Sequence, residues 1–342
     1  MKPFILVIGG AGYIGSHMVR ALLNAEFQPV VFDNLSTGHR DMVPEGTPFV
    51  EGDLRNPDDV RKVFKKFHLN AVTHFAASSI VSHSVKDPLK YYRNNVSAFL
   101  NLLDQMIEEN IYKLIFSSTA AVYGEPREIP IKEEAIKSPL NPYGQSKLMM
   151  EQILQDVSVA YDFSYVIFRY FNAAGADCCG EIGEQHHPET HLIPNILSAV
   201  TGNKSKFTIF GDNYPTRDGT CIRDYVHVDD LCRAHLQALW YLEQGGASQI
   251  FNLGSERGYS VKEVIAAVEQ VAGKKISVKV EGRRPGDPAE LIADSQKVKS
   301  ILGWHAKENL DSIIRSAYQW HQNMVQKKHL SEKKFAFAAE GG

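Results

Sequence analysis

The chain opens on a short apolar run, Phe4–Ile8, followed at once by glycines and then by Ile14, Met18 and Leu22. The run predicts a buried strand, and the four-residue spacing predicts a helix packed against it. The alternation recurs. Val30–Phe32, Phe49–Val50, Val72–Phe75 and Leu114–Phe116 predict further short strands, and Phe99, Leu102, Leu103 and Met106 mark the inner stripe of a helix between two of them. Apolar strands separated by helices imply a parallel sheet covered on both faces, and right-handed crossovers make it doubly wound. From about Tyr170 the rhythm changes. Loops rich in Gly, Pro, His and Asp occupy Gly175–Pro188 and Gly211–Gly219. Strand-like Gln249–Leu253, a helix bearing Val261, Val264, Ile265 and Val268, and a charged loop at Arg283–Pro288 come after them. The pattern divides the α/β chain into a sheet unit at 1–170, which later strands from the second half complete, and a smaller α/β region at 171–325. Residues 326–342, basic and then small and glycine-ended, read as a frayed tail.

Composition narrows the function classes. The chain has 342 residues, is 44% hydrophobic and 23% charged, and carries a formal net charge of -3. Nothing there suggests a nucleic-acid surface, and no run approaches the ~18 apolar residues of a membrane span. The apolar start is too short for a signal peptide and ends in glycines. Cys178, Cys179, Cys221 and Cys232 form no C-x-x-C pair, so reduced thiols in a cytoplasmic protein are expected.

The glycines after the first strand carry the first chemistry. Gly9-Gly-Ala-Gly12-Tyr-Ile-Gly15 joins a strand to a helix. Glycines let backbone approach a pyrophosphate, and the helix N-terminus faces its charge. A tight structural turn would also use glycine. Here Asp33 follows about 20 residues on, at the end of the second strand, where a carboxylate accepts from a ribose 2′-OH and repels a 2′-phosphate. The unit at 1–170 therefore reads as a Rossmann-type domain for NAD rather than NADP, with Arg40 the one feature pulling the other way. Asp53, after the third strand, either reaches the adenine edge or caps a turn.

Tyr143-Gly-Gln-Ser-Lys147 puts a phenol and an ammonium on one helix face, one turn apart. Tyr143 follows Pro142, which places it at a helix start. A phenol with pKa near ~10 is a poor base at neutral pH, and lowering it by ~3 units takes about 4 kcal/mol. One ammonium and a cationic nicotinamide can supply that together in a dry site. The alternative is a surface helix pair. Ser117-Ser118-Thr119 ends the strand before this helix, where a hydroxyl can bridge a substrate and the phenol, or simply cap a turn.

Together these segments resemble the extended short-chain dehydrogenase/reductase family. His74-Phe-Ala-Ala77, Arg169-Tyr-Phe-Asn172, Gly211-Asp-Asn-Tyr-Pro-Thr216, Asp218-Gly-Thr220, Arg223-Asp-Tyr-Val-His-Val228 and Arg283-Arg-Pro-Gly-Asp287 resemble its nucleotide-sugar 4-epimerases, to about His321. The resemblance implies Tyr143 as base, Lys147 as its electrostatic partner and Thr119 as the relaying hydroxyl. It places Gly9, Gly12, Tyr13, Ile14, Gly15, Asp33, Asn34, Asp53, Leu54, Phe75, Ala76, Asn95, Ser117, Tyr143, Lys147 and Phe171 at NAD positions. Thr119, Asn172, His191, Leu192, Thr208, Phe210, Arg223, Arg284, Asp287 and Leu291 fall at UDP-sugar positions. A diphosphate calls for such arginines, whose other reading is surface ion pairing. A homodimer built on the helices before and around Tyr143 is also implied.

The implied reaction is NAD-dependent interconversion of UDP-glucose and UDP-galactose through a 4-keto sugar. Three departures bear on it. Ser79 stands where some members have lysine near the pyrophosphate, His191 where some have asparagine, and Leu291 where glucose-restricted members have tyrosine. The smaller Leu291 leaves room for a 2-acetamido group, so UDP-N-acetylglucosamine and its 4-epimer are a second pair. Rival readings are epimerisation of UDP-glucuronate or a UDP-pentose, a nucleotide-sugar dehydratase or reductase, and a non-catalytic NAD sensor. Dehydration needs an acid–base pair after Thr119, where this chain has Ala120-Ala121. His186, His187 and His191 cluster, but without zinc-type spacing; a polar loop near the sugar, and no metal, is the expectation.

Overall fold

The computed structural model describes residues 2–202, 206–284 and 286–340, with 328–340 as backbone only. The elements run β1 (Phe4–Ile8), α1 (Tyr13–Asn24), β2 (Gln28–Asp33), β3 (Phe49–Glu51), α2 (Pro57–Lys66), β4 (Leu69–His74), α3 (Val81–Lys86), α4 (Pro88–Tyr91), α5 (Ala98–Glu108) and β5 (Lys113–Thr119). Next come α6 (Pro142–Tyr161), β6 (Ser164–Tyr170), β7 (Asn172–Ala174), α7 (Leu192–Val200), β8 (Phe207–Phe210), β9 (Ile222–His227), α8 (Val228–Glu243) and β10 (Gln249–Leu253). The chain ends with β11 (Gly258–Ser260), α9 (Val261–Ala272), β12 (Val278–Glu281), β13 (Glu290–Leu291), α10 (Gln296–Leu302) and α11 (Leu310–Glu340).

The main sheet has the order β10-β6-β5-β4-β1-β2-β3 and is parallel throughout. Its strands alternate between two cores, as the two-residue side-chain period requires. Ile5, Val7, Val31, Ile115, Val166 and Phe168 face α1 and α8, where Met18, Leu22, Leu231, Ala238 and Trp304 pack. Leu6, Ile8, Val30, Phe32, Leu114 and Phe116 face α2, α5 and α6, against Val63, Leu102, Met106, Met150 and Leu154. Each such side chain, fully buried, contributes roughly 1.5–3 kcal/mol. The strand order reverses between β1 and β4, and ligands of such sheets bind beyond the carboxyl ends at that reversal. The second half adds β10 to the sheet edge, as the first-half pattern requires. It builds a separate core from α7, β8, β9, α9 and α11, centred on Ile196, Leu197, Ile209, Val264, Val268 and Ile314. Small sheets β11-β9-β13, with β7 on β9, and β12-β8 flank that core.

α11 runs to Glu340; the last two residues of the tail read at 326–342 lie outside the described residues. Among the described residues no helix is long and apolar enough to cross a membrane.

Candidate active site

The glycine turn sits where β1 meets α1 at the sheet reversal. Gly9 has φ +76°, and a Cβ there would stand 2.7 Å from the Ala76 nitrogen of the neighbouring β4 loop. A Cβ on Gly15 would stand 2.0 Å from the Gly9 carbonyl oxygen, so α1 can begin this close only with glycine. Gly12 caps α1 without a side-chain bond, and no acidic residue lies in its first turn. The positive helix end is therefore left for an anion. Asp33 is buried at the end of β2, its carboxylate accepting from the Ala11 N–H at 2.9 Å and the Leu35 N–H at 2.8 Å. Burial raises its pKa above the ordinary value against those two bonds. This donor and acceptor set fits a dinucleotide: backbone amides and a helix terminus for phosphate, one carboxylate for ribose.

Asn34 and Asp53 meet at 2.9 Å, and Arg55 closes on the same carboxylate through Nε at 2.9 Å and Nη2 at 2.6 Å. The Arg55 guanidinium thereby holds Asp53 well below the usual carboxylate range. Asp53 is thus a fixed wall beside Leu54. Asn95 is buried and turned inward. Its amide accepts from the Ser78 N–H at 2.8 Å and donates to Ser146 Oγ at 2.9 Å, which ties the loop after β4 to α6. Phe75 packs 5.0 Å from the His235 ring, and Ile14 joins the core below α1. Tyr13 donates from its hydroxyl to the Gly175 carbonyl at 2.6 Å.

Across the reversal, α6 starts at Asn141, whose side chain accepts from the Gly144 N–H at 2.9 Å, with Pro142 at the first helical position. A Cβ on Gly144 would stand 2.7 Å from the Ala121 carbonyl oxygen, so this glycine lets the first turn of α6 close on the end of β5. That brings the Tyr143 phenol close to the Thr119 hydroxyl, which acts to lower the pKa of the phenol. Of the three hydroxyls ending β5, only this one is directed at Tyr143. Ser117 Oγ pairs with Tyr170 at 2.9 Å, and Ser118 donates to Glu151. Lys147 lies one turn on, its Nζ donating to the Ser117 carbonyl at 2.7 Å and standing 4.7 Å from the Phe116 ring centroid.

Burial sets the electrostatics of the pair. Burial pushes the Tyr143 phenol up to about 12, with the Thr119 bond acting the other way. Burial likewise pulls Lys147 down to about 7, against the pull of Glu151. In the protein alone, therefore, desolvation dominates both groups.

Below the pair lies a buried network that residue spacing does not reveal. Arg169 of β6 meets Glu151 of α6 at 2.6 Å, both almost fully buried, and donates to the Tyr123 hydroxyl at 2.8 Å. Tyr123 donates to Asn252 of β10 at 2.6 Å. Tyr143, Lys147 and Glu151 thus form one inward stripe of α6, anchored from beneath. The segment Arg169–Asn172 was visible as a motif, but its partner 18 residues away was not.

The second region gathers the remaining expected residues. Thr208 and Phe210 lie on β8, Arg284 stacks 3.9 Å over the Phe210 ring, and Arg223 of β9 stands 3.8 Å from Asp287. Leu192 opens α7, and His191 caps it. Asn172 donates to the Asp224 carbonyl at 2.9 Å. Leu291 and Phe171 pack together against Ala120, Tyr123 and Ile131 at the Thr119 end of the cleft.

Residues 5–254 match the model of the NAD dependent epimerase/dehydratase family. The chain belongs to that family. Within this epimerase/dehydratase family it is 50% identical over 320 residues to a UDP-glucose 4-epimerase of Lacticaseibacillus casei, covering 93% of this chain and 97% of that one. A UDP-glucose 4-epimerase from Brucella ovis, solved with NAD, matches at 46% identity and TM-score 0.90, over 93% of this chain and 98% of that one. One from Bifidobacterium longum, solved with NAD+ and UDP, matches at 38% identity and TM-score 0.90, over 94% and 98%. The cofactor of this epimerase/dehydratase chain is NAD.

Proposed function

We infer that the chain interconverts UDP-glucose and UDP-galactose, as an NAD-dependent 4-epimerase working through a transient 4-keto sugar. The observation that carries this reading is the Tyr143 phenol close to the Thr119 hydroxyl at the end of β5, with Lys147 one helical turn away, facing the glycine turn across the sheet reversal. We assign Tyr143 the proton of the sugar 4-OH, with Thr119 relaying it, and later the return of that proton to the inverted carbon. NAD supplies the acceptor and donor of the C4 hydride, and a positive charge beside the phenol. Lys147, kept near neutrality by burial, takes up a full charge as the phenolate forms, so the pair titrates as a unit.

Epimerisation needs a firm hold on UDP and a loose one on the hexose, because strong bonds to one sugar face oppose its turning. We assign UDP to Asn172, Leu192, Thr208, Phe210, Arg223, Arg284 and Asp287, and the sugar end to Thr119, His191 and Leu291. Ala120 and Ala121 have no proton to give at the neighbouring carbon, which favours epimerisation over elimination. The Leu291 side chain, packed beside Phe171, is short enough to favour acceptance of the 2-acetamido pair as well.

We further infer a homodimer through α5 and α6, whose outer faces carry Leu100 at 43% and Val159 at 89% exposure, and a cytoplasmic location, which the four free thiols fit. Purified protein given UDP-glucose and no second redox substrate should form UDP-galactose without net accumulation of reduced cofactor. No epimer formed even with NAD supplied would refute the reading.

A further inference from the structure

The loop between β7 and α7 holds a side-chain cluster of which the proposed epimerase chemistry uses only His191, at the sugar end. We propose that Glu184, His186, Glu189 and His191 bind one divalent transition-metal ion of the zinc class, which pins this loop between the first turn of α1 and α11. Glu184 and Glu189 were not among the candidates read from the sequence. The fold adds them to the histidines by curling the loop on itself.

One ligand atom from each of the four lies within 4.8 Å of all the others. Donors at about 2.0–2.2 Å from zinc stand about 3.4 Å apart along the edges of a tetrahedron. His186 Nδ1 is 3.1 Å from Glu184 and 3.9 Å from Glu189, on either side of that edge, and His191 Nδ1 is bonded to Glu184. Closing the set around an ion needs side-chain adjustment of about an ångström and no change of backbone path.

The surroundings hold the donors as outer partners of a metal site do. Glu189 Oε1 accepts from the Thr190 and His191 N–H groups at 2.7 and 2.8 Å, while Oε2 is the oxygen turned towards His186. The Glu184 backbone carbonyl accepts from Trp320 Nε1 of α11 at 3.0 Å. Glu184 is buried, its side chain 6% exposed. Two carboxylates are thereby forced together, and burial with the Glu184 charge pushes Glu189 up. Two carboxylates and two neutral imidazoles balance a divalent ion. Mixed nitrogen and oxygen donors select zinc-like ions over calcium or magnesium. The Tyr13 hydroxyl at the start of α1 donates to the Gly175 carbonyl of the same loop at 2.6 Å, which sets the loop against the first turn of α1.

The test is a titration of the full chain, stripped with chelator, with Zn2+ alone, by calorimetry in two buffers of different ionisation enthalpy. One ion should bind per chain with release of protons, since the ion and protons compete for the same imidazole and carboxylate atoms. His186→Ala and Glu189→Gln should each weaken binding at least about tenfold. Both side chains are partly exposed, at 31% and 17%, so each change leaves the buried Glu184 in place. Cys178→Ser with Cys179→Ser should change nothing, which separates this site from the exposed Asp177, Cys178 and Cys179 group. Co2+ in the unaltered chain is an independent readout: a tetrahedral visible spectrum without a thiolate charge-transfer band is expected. Absence of binding, equal binding by both single variants, loss in the cysteine variant, or a thiolate band would each overturn the proposal.

Discussion

Replacing Lys147 by methionine should make the cofactor-free protein more stable while removing most turnover. Burial holds Lys147 at about 7, against its ordinary 10.5. The unfolded chain therefore binds more protons between those values, and the stability of the natural protein rises with pH across that window. Below pH 7 the buried charge costs about 4–5 kcal/mol; above it the cost falls by about 1.4 kcal/mol per pH unit and is nearly gone at pH 10.5. Methionine is unbranched like lysine, one heavy atom shorter, and carries no charge. It forfeits the bond from Nζ to the Ser117 carbonyl, a loss of about 1–3 kcal/mol. The net gain at pH 7 is about 2–3 kcal/mol. Urea unfolding of both proteins, freed of NAD, at pH 6 to 9 measures it. The advantage of the variant should shrink by about 2 kcal/mol between pH 7 and pH 9. Turnover should fall about 100- to 1,000-fold, since a charge pair a few ångström apart is worth about 3–4 kcal/mol at an effective dielectric of ~20. Parallel pH profiles for the two proteins, or a variant less stable at pH 6, would refute the reasoning.

Three further outcomes follow from the site. Tyr143→Phe should retain NAD through desalting yet lose at least about a thousandfold in kcat, and near-normal turnover would remove Tyr143 from its assigned role. Leu291→Tyr should fill the space beside Phe171 and lower kcat/KM for UDP-N-acetylglucosamine at least about tenfold more than for UDP-glucose; an unchanged ratio contradicts the gate. Arg284→Ala should raise KM for UDP-glucose about tenfold or more with kcat within a few-fold, as loss of a phosphate contact made equally in ground and transition states requires.

How much was legible in the sequence depended on how local each signal is. β1, β2 and β5 were readable because a strand buried on both faces is apolar at every position. The glycine turn was readable because Gly15 answers to Gly9 and Gly10 within the same turn, whereas the approach of Ala76 to Gly9 comes from a distant loop. Tyr143 and Lys147 fall one helical turn apart, so spacing alone put them on one face. The Glu151–Arg169 pair was hidden because its partners sit on different elements, joined only when α6 packs on β6. Glu184 and Glu189 looked like ordinary loop acids until the chain curled back. The extent of desolvation at Tyr143 was hidden likewise: spacing gives the neighbouring charge, but only the packed cleft gives the burial. Short strands such as β7 and β13, of 3 and 2 residues, carry too few positions for any period to register.

The central claim is that one phenol and one retained cofactor take a hydrogen from carbon 4 and return it to the opposite face. UDP-glucose deuterated at that carbon, incubated with the enzyme in ordinary water, tests this most directly. Mass spectrometry of the UDP-galactose formed should find the deuterium still at carbon 4. Washout of the label into solvent at the rate of product formation would contradict the account.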